Sequence, residues 1–201
     1  RRIPVHTADV FPDGAYLVTG GFGGVGLSAA RELVDAGAPV VGLLGRRVPP
    51  AGSAWSELRG DPHWGRTAEE LVLLSERATI VPLAADVTDA EAVRRAVEVL
   101  SAHAPLRGVI HAAGVPSAGV MLTRTDEAAA SVLAPKTLGT HAVADAVGTD
   151  LDFFWVTSSV TALVGGPGQA DYAAANGYQL GWAAAARRAG LPATAIAWDT
   201  W

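Results

Sequence analysis

The sequence contains no cysteine and only one lysine, Lys136. Without cysteine there can be neither a disulfide bond nor a thiolate metal site, and no other metal site is expected. Net charge is −5 and no run of Lys and Arg exceeds two residues, which disfavours nucleic-acid and membrane-surface partners. No apolar stretch is long enough to span a bilayer or to form a signal peptide, so we expect a soluble cytoplasmic protein.

What is present is a large apolar fraction. Half of the 201 residues are hydrophobic and 17% are charged, enough for the core of one domain. The chain begins without methionine and stops at Trp201, directly after an apolar run. We therefore expect a piece of a longer polypeptide, with a lead-in segment over 1–14 and one folded domain over 15–201.

Apolar runs alternate with helical patterns along the chain. Nearly uniform apolar runs indicate strands that are covered on both faces, and their alternation with helices predicts an α/β, Rossmann-like, doubly wound parallel sheet with helices on both faces. A Pro/Gly-rich surface loop is expected over 48–65, with Asp61 as a helix cap, and Pro135 should interrupt a long helix. The predicted strands are 15–20, 39–45, 78–86, 107–114, 152–159 and 193–198, and the predicted helices are 27–37, 66–77, 89–103, 126–147 and 169–190.

A glycine-rich turn links the first predicted strand to the first predicted helix. Its sequence, TGGFGGVG, places Gly20, Gly23 and Gly26 three residues apart. Glycine permits a tight turn and lets the backbone approach a pyrophosphate, which then lies at the positive end of a helix. A purely structural turn is the alternative, but the strand–turn–helix context favours nucleotide binding. The candidate residues are Thr19, Gly20, Gly21, Phe22, Gly23, Gly24, Val25 and Gly26.

The end of the second strand indicates which nucleotide would bind. Enzymes that use NAD usually have an acidic residue there for the ribose 2′-hydroxyl, whereas arginine accommodates a 2′-phosphate. This chain has Arg46 and Arg47, whose guanidinium groups can bind phosphate with two hydrogen bonds, so NADPH is predicted. A solvated strand end is the alternative. Later strand ends supply further candidates, namely Asp86 and Val87 beside the adenine and His111, Ala112, Ala113 and Gly114 under the cofactor.

The candidate catalytic residues follow the fifth predicted strand. Ser159 ends that strand, and Tyr172 comes thirteen residues later in the sequence YAAAN. Serine can hold a carbonyl oxygen and tyrosine can donate a proton, more readily if a cation is near. The position four residues after the tyrosine is Asn176 and not a basic residue, so either Tyr172 is an ordinary helix residue or the cation comes from elsewhere. Lys136 on the preceding helix is the candidate; the alternative is an incidental lysine on a helix surface.

Together, TGGFGGVG, GRR, ADV, HAAG, SS, YAAAN and the single lysine resemble the short-chain dehydrogenase/reductase superfamily. They resemble more closely the ketoreductase domains of polyketide synthases, in which lysine and asparagine have exchanged positions relative to free-standing members. The resemblance extends from about Tyr16 to Trp201. It implies an oxidoreductase domain of a multienzyme for antibiotic or secondary-metabolite biosynthesis. The family continues into a substrate lid and a last strand that this sequence does not include.

The resemblance also implies a reaction. A β-keto group would be reduced with NADPH while the acyl chain is held as a thioester on the phosphopantetheine arm of an acyl carrier domain. Ser159 would bind the carbonyl and Tyr172 would be the acid, supported by Lys136 and Asn176. Other domains of the same multienzyme would be further partners.

Two alternatives to this function remain open at the level of sequence. One is the reduction of an α-keto acyl group on a peptidyl carrier, and the other is a non-catalytic structural domain. The stereochemistry of the product is not predicted either. Relatives that form the D-hydroxyl often have Leu-Asp-Asp where this chain has Pro116, Ser117 and Ala118, and relatives that form the L-hydroxyl often have tryptophan where it has Val164.

Overall fold

Six parallel strands form the centre of the structure, a computed structural model that describes residues 13–50, 52–116 and 119–199. Most of the predicted lead-in segment, together with Ser117 and Ala118, lies outside the described residues. The strand order across the sheet is β3-β2-β1-β4-β5-β6, which confirms the doubly wound prediction. The strands are β1 (Ala15–Thr19), β2 (Val40–Gly45), β3 (Thr79–Ala84), β4 (Leu106–His111), β5 (Phe153–Ser159) and β6 (Ala193–Trp198).

Helices cover both faces of the sheet because successive strand residues point to opposite sides. Tyr16 and Val18 of β1 pack in one apolar cluster with the first two helices, whereas Leu17 packs in a second cluster with the third, fifth and seventh. Within the described residues, no helix has both the length and the apolar character needed to cross a membrane. The helices are α1 (Gly24–Asp35), α2 (Gly65–Ser75), α3 (Ala90–Ser101), α4 (Asp126–Lys136), α5 (Leu138–Val147), α6 (Thr161–Val164) and α7 (Ala170–Arg188).

The predicted surface loop over 48–65 contains a 3₁₀ helix, Gly52–Gly60, that the sequence did not indicate. It is held by Trp55, which is 4% exposed and whose indole N–H donates to the Pro50 carbonyl at 2.6 Å. Burial of an aromatic ring therefore organises a segment that is rich in turn-forming residues. The Asp61 carboxylate accepts hydrogen bonds from the backbone N–H groups of His63 and Trp64, in the turn just before α2.

The break in the long predicted helix lies later than predicted. α4 passes through Pro135 and ends at Lys136, and α5 begins at Leu138. Proline lacks the N–H that would continue the helix and its ring crowds the carbonyl four residues earlier, so α4 ends one residue after Pro135. The carbonyl of Pro135 accepts a hydrogen bond from His111 Nε2 at 3.0 Å, so this turn is fixed by β4.

Candidate active site

Three adjoining cavities follow the edge of the sheet where the strands end, and Gly114 lines all three. The serine cavity, about 480 Å³, is lined by Lys136, Ser159 and Tyr172. The glycine-loop cavity, about 580 Å³, is lined by residues 22–26 together with Arg46 and Arg47. The third is the Asp86 cavity of about 280 Å³. Ligands of open α/β sheets bind at this edge, so the fold places these cavities where a binding site is expected.

The glycine loop between β1 and α1 requires glycine at two positions. Gly20 has a φ of +65°, a conformation that residues with side chains rarely adopt. A Cβ atom on Gly26 would collide with the Gly20 carbonyl, so the turn and the helix can approach closely only without a side chain there. The loop is closed by the Gly23 N–H, which donates to the Gly20 carbonyl at 3.0 Å.

The N-terminus of α1 presents its first backbone N–H groups to the glycine-loop cavity. Among the described residues no side chain caps this end, where the N-cap residue is Gly23. A Cβ on Gly24 would meet no atom within 4 Å, so the space beside the helix end is open. Uncapped N–H groups and the positive end of a helix bind anions, and the loop is therefore suited to a phosphate.

Two exposed arginines flank this site. Arg46 and Arg47 follow β2, and within the described residues neither has a hydrogen bond or an ion pair with protein. Arg46 also lines the Asp86 cavity. The Asp86 carboxylate accepts hydrogen bonds from the backbone N–H and the hydroxyl of Thr88, and these bonds, with a smaller effect of Arg46, lower its pKa.

The side chains of Thr19 and His111 face the interior. The two residues are register partners on β1 and β4, both are fully buried, and the Thr19 hydroxyl lies 2.6 Å from His111 Nδ1. Because the Pro135 carbonyl can only accept, His111 Nε2 carries the hydrogen and Nδ1 accepts from Thr19. Burial, helped by the charge of Lys136, lowers the pKa of His111 to about 3. These side chains fix the strand ends and do not line any of the three cavities.

Lys136 is buried at the end of α4, with 4% of its surface exposed, so the helix-surface alternative is wrong. Its ammonium donates to the Thr157 carbonyl of β5 at 2.6 Å and to Gln179 Oε1 of α7 at 3.1 Å. A Cβ on Gly114 would lie 3.1 Å from the Lys136 Cε atom, so glycine there gives the lysine room. Burial lowers the pKa of the ammonium to about 8.

Ser159 is held at the wall of the serine cavity by the turn that follows β5. The Thr161 backbone N–H donates to Ser159 Oγ at 3.2 Å, and the two hydroxyl oxygens lie 2.9 Å apart. The neighbouring Ser158 hydroxyl donates to the Asn176 carbonyl at 3.0 Å, which ties β5 to α7. The strand end and the helix that supplies Tyr172 are thus joined directly.

Tyr172 and Asn176 lie one turn apart on α7 but in different surroundings. Tyr172 lines the serine cavity, whereas Asn176 is fully buried and does not line it. Asn176 Nδ2 donates to the Tyr172 carbonyl at 2.8 Å, and among the described residues its Oδ1 has no hydrogen-bond partner. Within the same residues, no hydrogen bond joins Lys136 to Tyr172. Lys136 and Tyr172 therefore line the same cavity, but no hydrogen bond between them is present in the described residues.

A nearly buried ion pair fixes the start of α7 next to the tyrosine. Arg124 donates through Nε and Nη2 to Asp171 Oδ2, at 2.7 and 2.5 Å, and Asp171 is 8% exposed. The other oxygen of Asp171 accepts from the Tyr172 backbone N–H at 2.8 Å. The segment before α4 is in this way clamped to the first turn of α7.

Comparison with known proteins identifies the family. A family model described as "KR domain" matches residues 14–201. The chain is 36% identical over 197 residues to 6-methylsalicylic acid synthase of Aspergillus terreus and 38% identical over 206 residues to 5-methyl-1-naphthoate synthase of Streptomyces sahachiroi. These alignments cover 94% and 100% of the chain but 11% of each relative, so the chain spans about a tenth of their length. The chain belongs to the KR domain family.

A solved structure supports the same assignment for this KR domain. An N-terminal ketoreductase from the macrolactin assembly line superposes with a TM-score of 0.81 at 31% identity, covering 96% of this chain and 38% of that one. The KR domain is therefore an oxidoreductase domain of the polyketide-synthase type with the short-chain dehydrogenase/reductase fold. This fold binds a nicotinamide cofactor.

The residues of the KR domain fit such a cofactor. The uncapped N-terminus of α1, the glycine loop and the arginines offer partners for phosphates, and the cavities form a continuous edge from there to Tyr172. Predicted residues that line a cavity are Gly20, Phe22, Gly23, Gly24, Val25, Gly26, Arg46, Arg47, Asp86, Val87, Ala112, Ala113, Gly114, Lys136, Ser159 and Tyr172. Those that line none are Thr19, Gly21, His111 and Asn176.

Sequence patterns alone missed several residues of the site in this KR domain. His63 and Trp64, from the segment predicted to be a loop, line the glycine-loop cavity, and Trp64 packs edge-on against Phe22. Gln179 was also missed, although it stands seven residues after Tyr172, on the same helix face. A polar residue at that spacing was the available signal. Val164, discussed as a stereochemical position, is 80% exposed at the end of α6.

Proposed function

We propose that the KR domain reduces the β-keto group of an acyl thioester, using NADPH, during polyketide assembly. The acyl chain would be carried on the phosphopantetheine arm of an acyl carrier domain of the same multienzyme. The observation that carries the proposal is the serine cavity, in which a hydroxyl, a phenol and a buried ammonium meet beside the glycine-loop cavity.

The three side chains have distinct parts in this reaction. NADPH, when bound, supplies the hydride for the carbonyl carbon. Ser159 donates a hydrogen bond to the carbonyl oxygen; its own hydrogen is available for this when the Thr161 hydroxyl acts as donor to Ser159. Tyr172 gives its proton to that oxygen as negative charge develops there. Lys136 stabilises the phenolate that Tyr172 leaves behind.

Asn176 supports Tyr172 from within α7. Its amide nitrogen donates to the Tyr172 carbonyl, which helps to fix the position of the first turns of α7 beside the serine cavity. Its Oδ1 is buried and has no partner among the described residues, and such an atom is costly unless it accepts a hydrogen bond. A water that relays a proton towards the tyrosine would satisfy it.

The preference for NADPH over NADH is proposed from the arginines. Arg46 and Arg47 are exposed beside the glycine-loop cavity and have no hydrogen bond or ion pair within the described residues, so both can bind a 2′-phosphate. The carrier domain and the other domains are proposed as partners because the relatives are about nine times longer than this chain.

The test is reduction of a small thioester by the purified chain. A β-ketoacyl thioester of N-acetylcysteamine replaces the phosphopantetheine arm, NADPH oxidation is followed by absorbance, and the hydroxyacyl product is identified by mass spectrometry. We expect turnover that Tyr172→Phe abolishes and that Tyr178→Phe, on an exposed part of the same helix, does not.

The same assay separates the alternatives. An α-ketoacyl thioester tests the second substrate class, and preferential turnover of that compound would replace the β-keto assignment. A folded chain that binds NADPH but reduces neither thioester would show that the domain is structural.

A further inference from the structure

Gln179 has no part in the function proposed so far, yet it is fully buried in the middle of α7. Burying an amide is costly unless its polar atoms are hydrogen-bonded, so its partners show what it holds. Asn176, one turn earlier, donates to a carbonyl of its own helix. Gln179 instead reaches across to α4 and α5, and both of its polar atoms have partners there.

The partners of Gln179 form a closed ring that begins and ends at Lys136. The Lys136 ammonium donates to Gln179 Oε1 at 3.1 Å, and Gln179 Nε2 donates to Thr140 Oγ1 at 3.3 Å. The Thr140 hydroxyl donates to the backbone carbonyl of Lys136 at 2.7 Å. Thr140 and Gln179 are both fully buried, so the ring is shielded from water.

The donors and acceptors of this ring fix the orientation of the amide. An ammonium can only donate, so the amide atom that faces Lys136 is the oxygen. The Thr140 hydroxyl gives its hydrogen to the Lys136 carbonyl, so it accepts from the amide nitrogen. Gln179 therefore cannot turn around without losing both hydrogen bonds.

The ring also fixes the direction in which Lys136 can act. An ammonium has three N–H groups, and two are given to the Thr157 carbonyl and to Gln179. Within the described residues, no other hydrogen bond from this ammonium is present. Because Lys136 lines the serine cavity, its third N–H is left for an acceptor there.

We propose that Gln179 is a positioning residue, which holds the Lys136 ammonium against β5 and directs its third N–H into the serine cavity. The inference rests on the proposed function, because it gives the lysine a part in that reaction. A neutral acceptor suits this role because a carboxylate would pair with the ammonium, whereas an apolar side chain would leave it loosely held.

The lysine can be observed without any activity assay, because Lys136 is the sole lysine of the chain. Protein labelled with ¹³C,¹⁵N-lysine gives one Cε–Hε NMR signal, and its shift with pH gives the titration midpoint. Of the other titratable side chains, His111 on β4 interacts electrostatically with the ammonium and is neutral at assay pH, and Tyr172 on α7 and Asp199 after β6 line the serine cavity together with Lys136.

Two substitutions change the acceptor in opposite ways. In Gln179→Glu a negative charge faces the ammonium, so the lysine should titrate at higher pH than in the unsubstituted chain. In Gln179→Leu the charged form loses a hydrogen bond, so the lysine should titrate at lower pH. Gln179→Leu should also lower kcat by roughly tenfold to a hundredfold, the range for a hydrogen bond to a charged group. The alkaline limb of the pH profile should move with the NMR midpoint.

Thr140→Val and Thr137→Val form a matched pair, which remains informative if a Gln179 variant does not fold. Both hydroxyls donate to a carbonyl four residues earlier, but in the described part of the chain only Thr140 also accepts a hydrogen bond from Gln179. Thr140→Val should shift the lysine titration and lower kcat a few-fold, by roughly the loss of one neutral hydrogen bond. Thr137→Val should change neither.

Shifted titrations together with lower kcat support the proposal. The proposal is overturned if the lysine signal of both Gln179 variants titrates at the same pH as in the unsubstituted chain. It is also overturned if the titration shifts while kcat stays unchanged. Failure of the proposed function is a separate result: the unsubstituted chain would then reduce no ketoacyl thioester, while the NMR titration would still show whether Gln179 holds the lysine.

Discussion

The two ends of the cavity edge are built on opposite principles. The end at β1 and β2 uses backbone N–H groups and the exposed Arg46 and Arg47. The end at β4 and β5 uses buried polar side chains, among them His111, Lys136 and Gln179. Exposed groups can bind a charged ligand at little cost to folding. Buried groups hold a fixed geometry, but their desolvation opposes the folded state.

The cost at the buried end can be stated for Lys136. Its pKa is about 8 in the folded chain and close to 10.5 when unfolded, so between these pH values only the unfolded chain keeps the proton. Stability therefore rises with pH across this window, and the charged ammonium lowers stability at neutral pH by about 3 kcal/mol. The first turn of α1, whose N–H groups face a cavity, carries no comparable cost of desolvation.

The largest expected effect is the loss of Lys136. Lys136→Met should lower kcat by roughly 10²-fold to 10⁴-fold, the range for a positioned acid–base group. Lys136→Arg should restore little of this activity, because the planar guanidinium group of arginine does not fit a site built for a compact ammonium. Steady-state NADPH oxidation measures both. Unfolding by denaturant is the control: Lys136→Met should be folded and should lack the gain in stability between pH 8 and pH 10. A folded Lys136→Met variant with normal kcat would show that the buried end does not supply a lysine needed for turnover.

A second effect at the buried end concerns His111. Its pKa is about 3 when folded and near 6.5 when unfolded, so the folded chain loses stability as pH falls through this window. The loss should approach about 1.4 kcal/mol per pH unit. In His111→Asn the stability, measured by denaturant unfolding, should depend less steeply on pH between 6 and 4. His103→Asn, on the exposed surface, should leave the slope unchanged. An equal slope in the unsubstituted chain, His111→Asn and His103→Asn would contradict the claim that buried His111 causes the loss of stability at low pH.

The role of His111 also shows what sequence patterns could and could not predict. The strand ends and their common edge follow from apolar runs, so the fold was predicted. HAAG was predicted to end the fourth strand, and β4 ends at its first residue, His111. The direction of a side chain at a strand end depends on register with the neighbouring strand. Thr19 and His111 are register partners facing the core, which no local pattern in either strand indicates.

The glycine loop and the catalytic end differ in the same way. The loop is one continuous segment. Its eight residues, with their glycine spacing, were therefore enough to predict a tight turn between the first strand and the first helix. The ring of Lys136, Thr140 and Gln179 joins three helical positions that meet only after α7 packs against α4. Lys136 was found because it is the only lysine, whereas Gln179 has no such distinction in composition. The clamp of Arg124 on Asp171 was missed for the same reason.

A smaller effect is expected at the exposed end. Arg46→Ala and Arg47→Ala should each weaken NADPH binding, with roughly a tenfold to hundredfold loss for a charge-assisted phosphate contact, while NADH binding changes little. Isothermal titration gives both dissociation constants without turnover. Because these charges are exposed, NADPH affinity should also decrease with salt, whereas Lys136 should titrate at nearly the same pH. Equal affinity of the unsubstituted chain for NADH and NADPH would contradict this assignment.

The central claim is that Lys136 and Tyr172 act as one unit from two different helices, and a double-mutant cycle in kcat tests it most directly. Lys136→Met, Tyr172→Phe and the double variant are compared by NADPH oxidation with the β-ketoacyl thioester. Residues that act as a unit are strongly non-additive, so the double variant should be within about threefold of the slower single variant. If the two losses instead multiply, the lysine and the tyrosine act independently, and the account of this site is wrong.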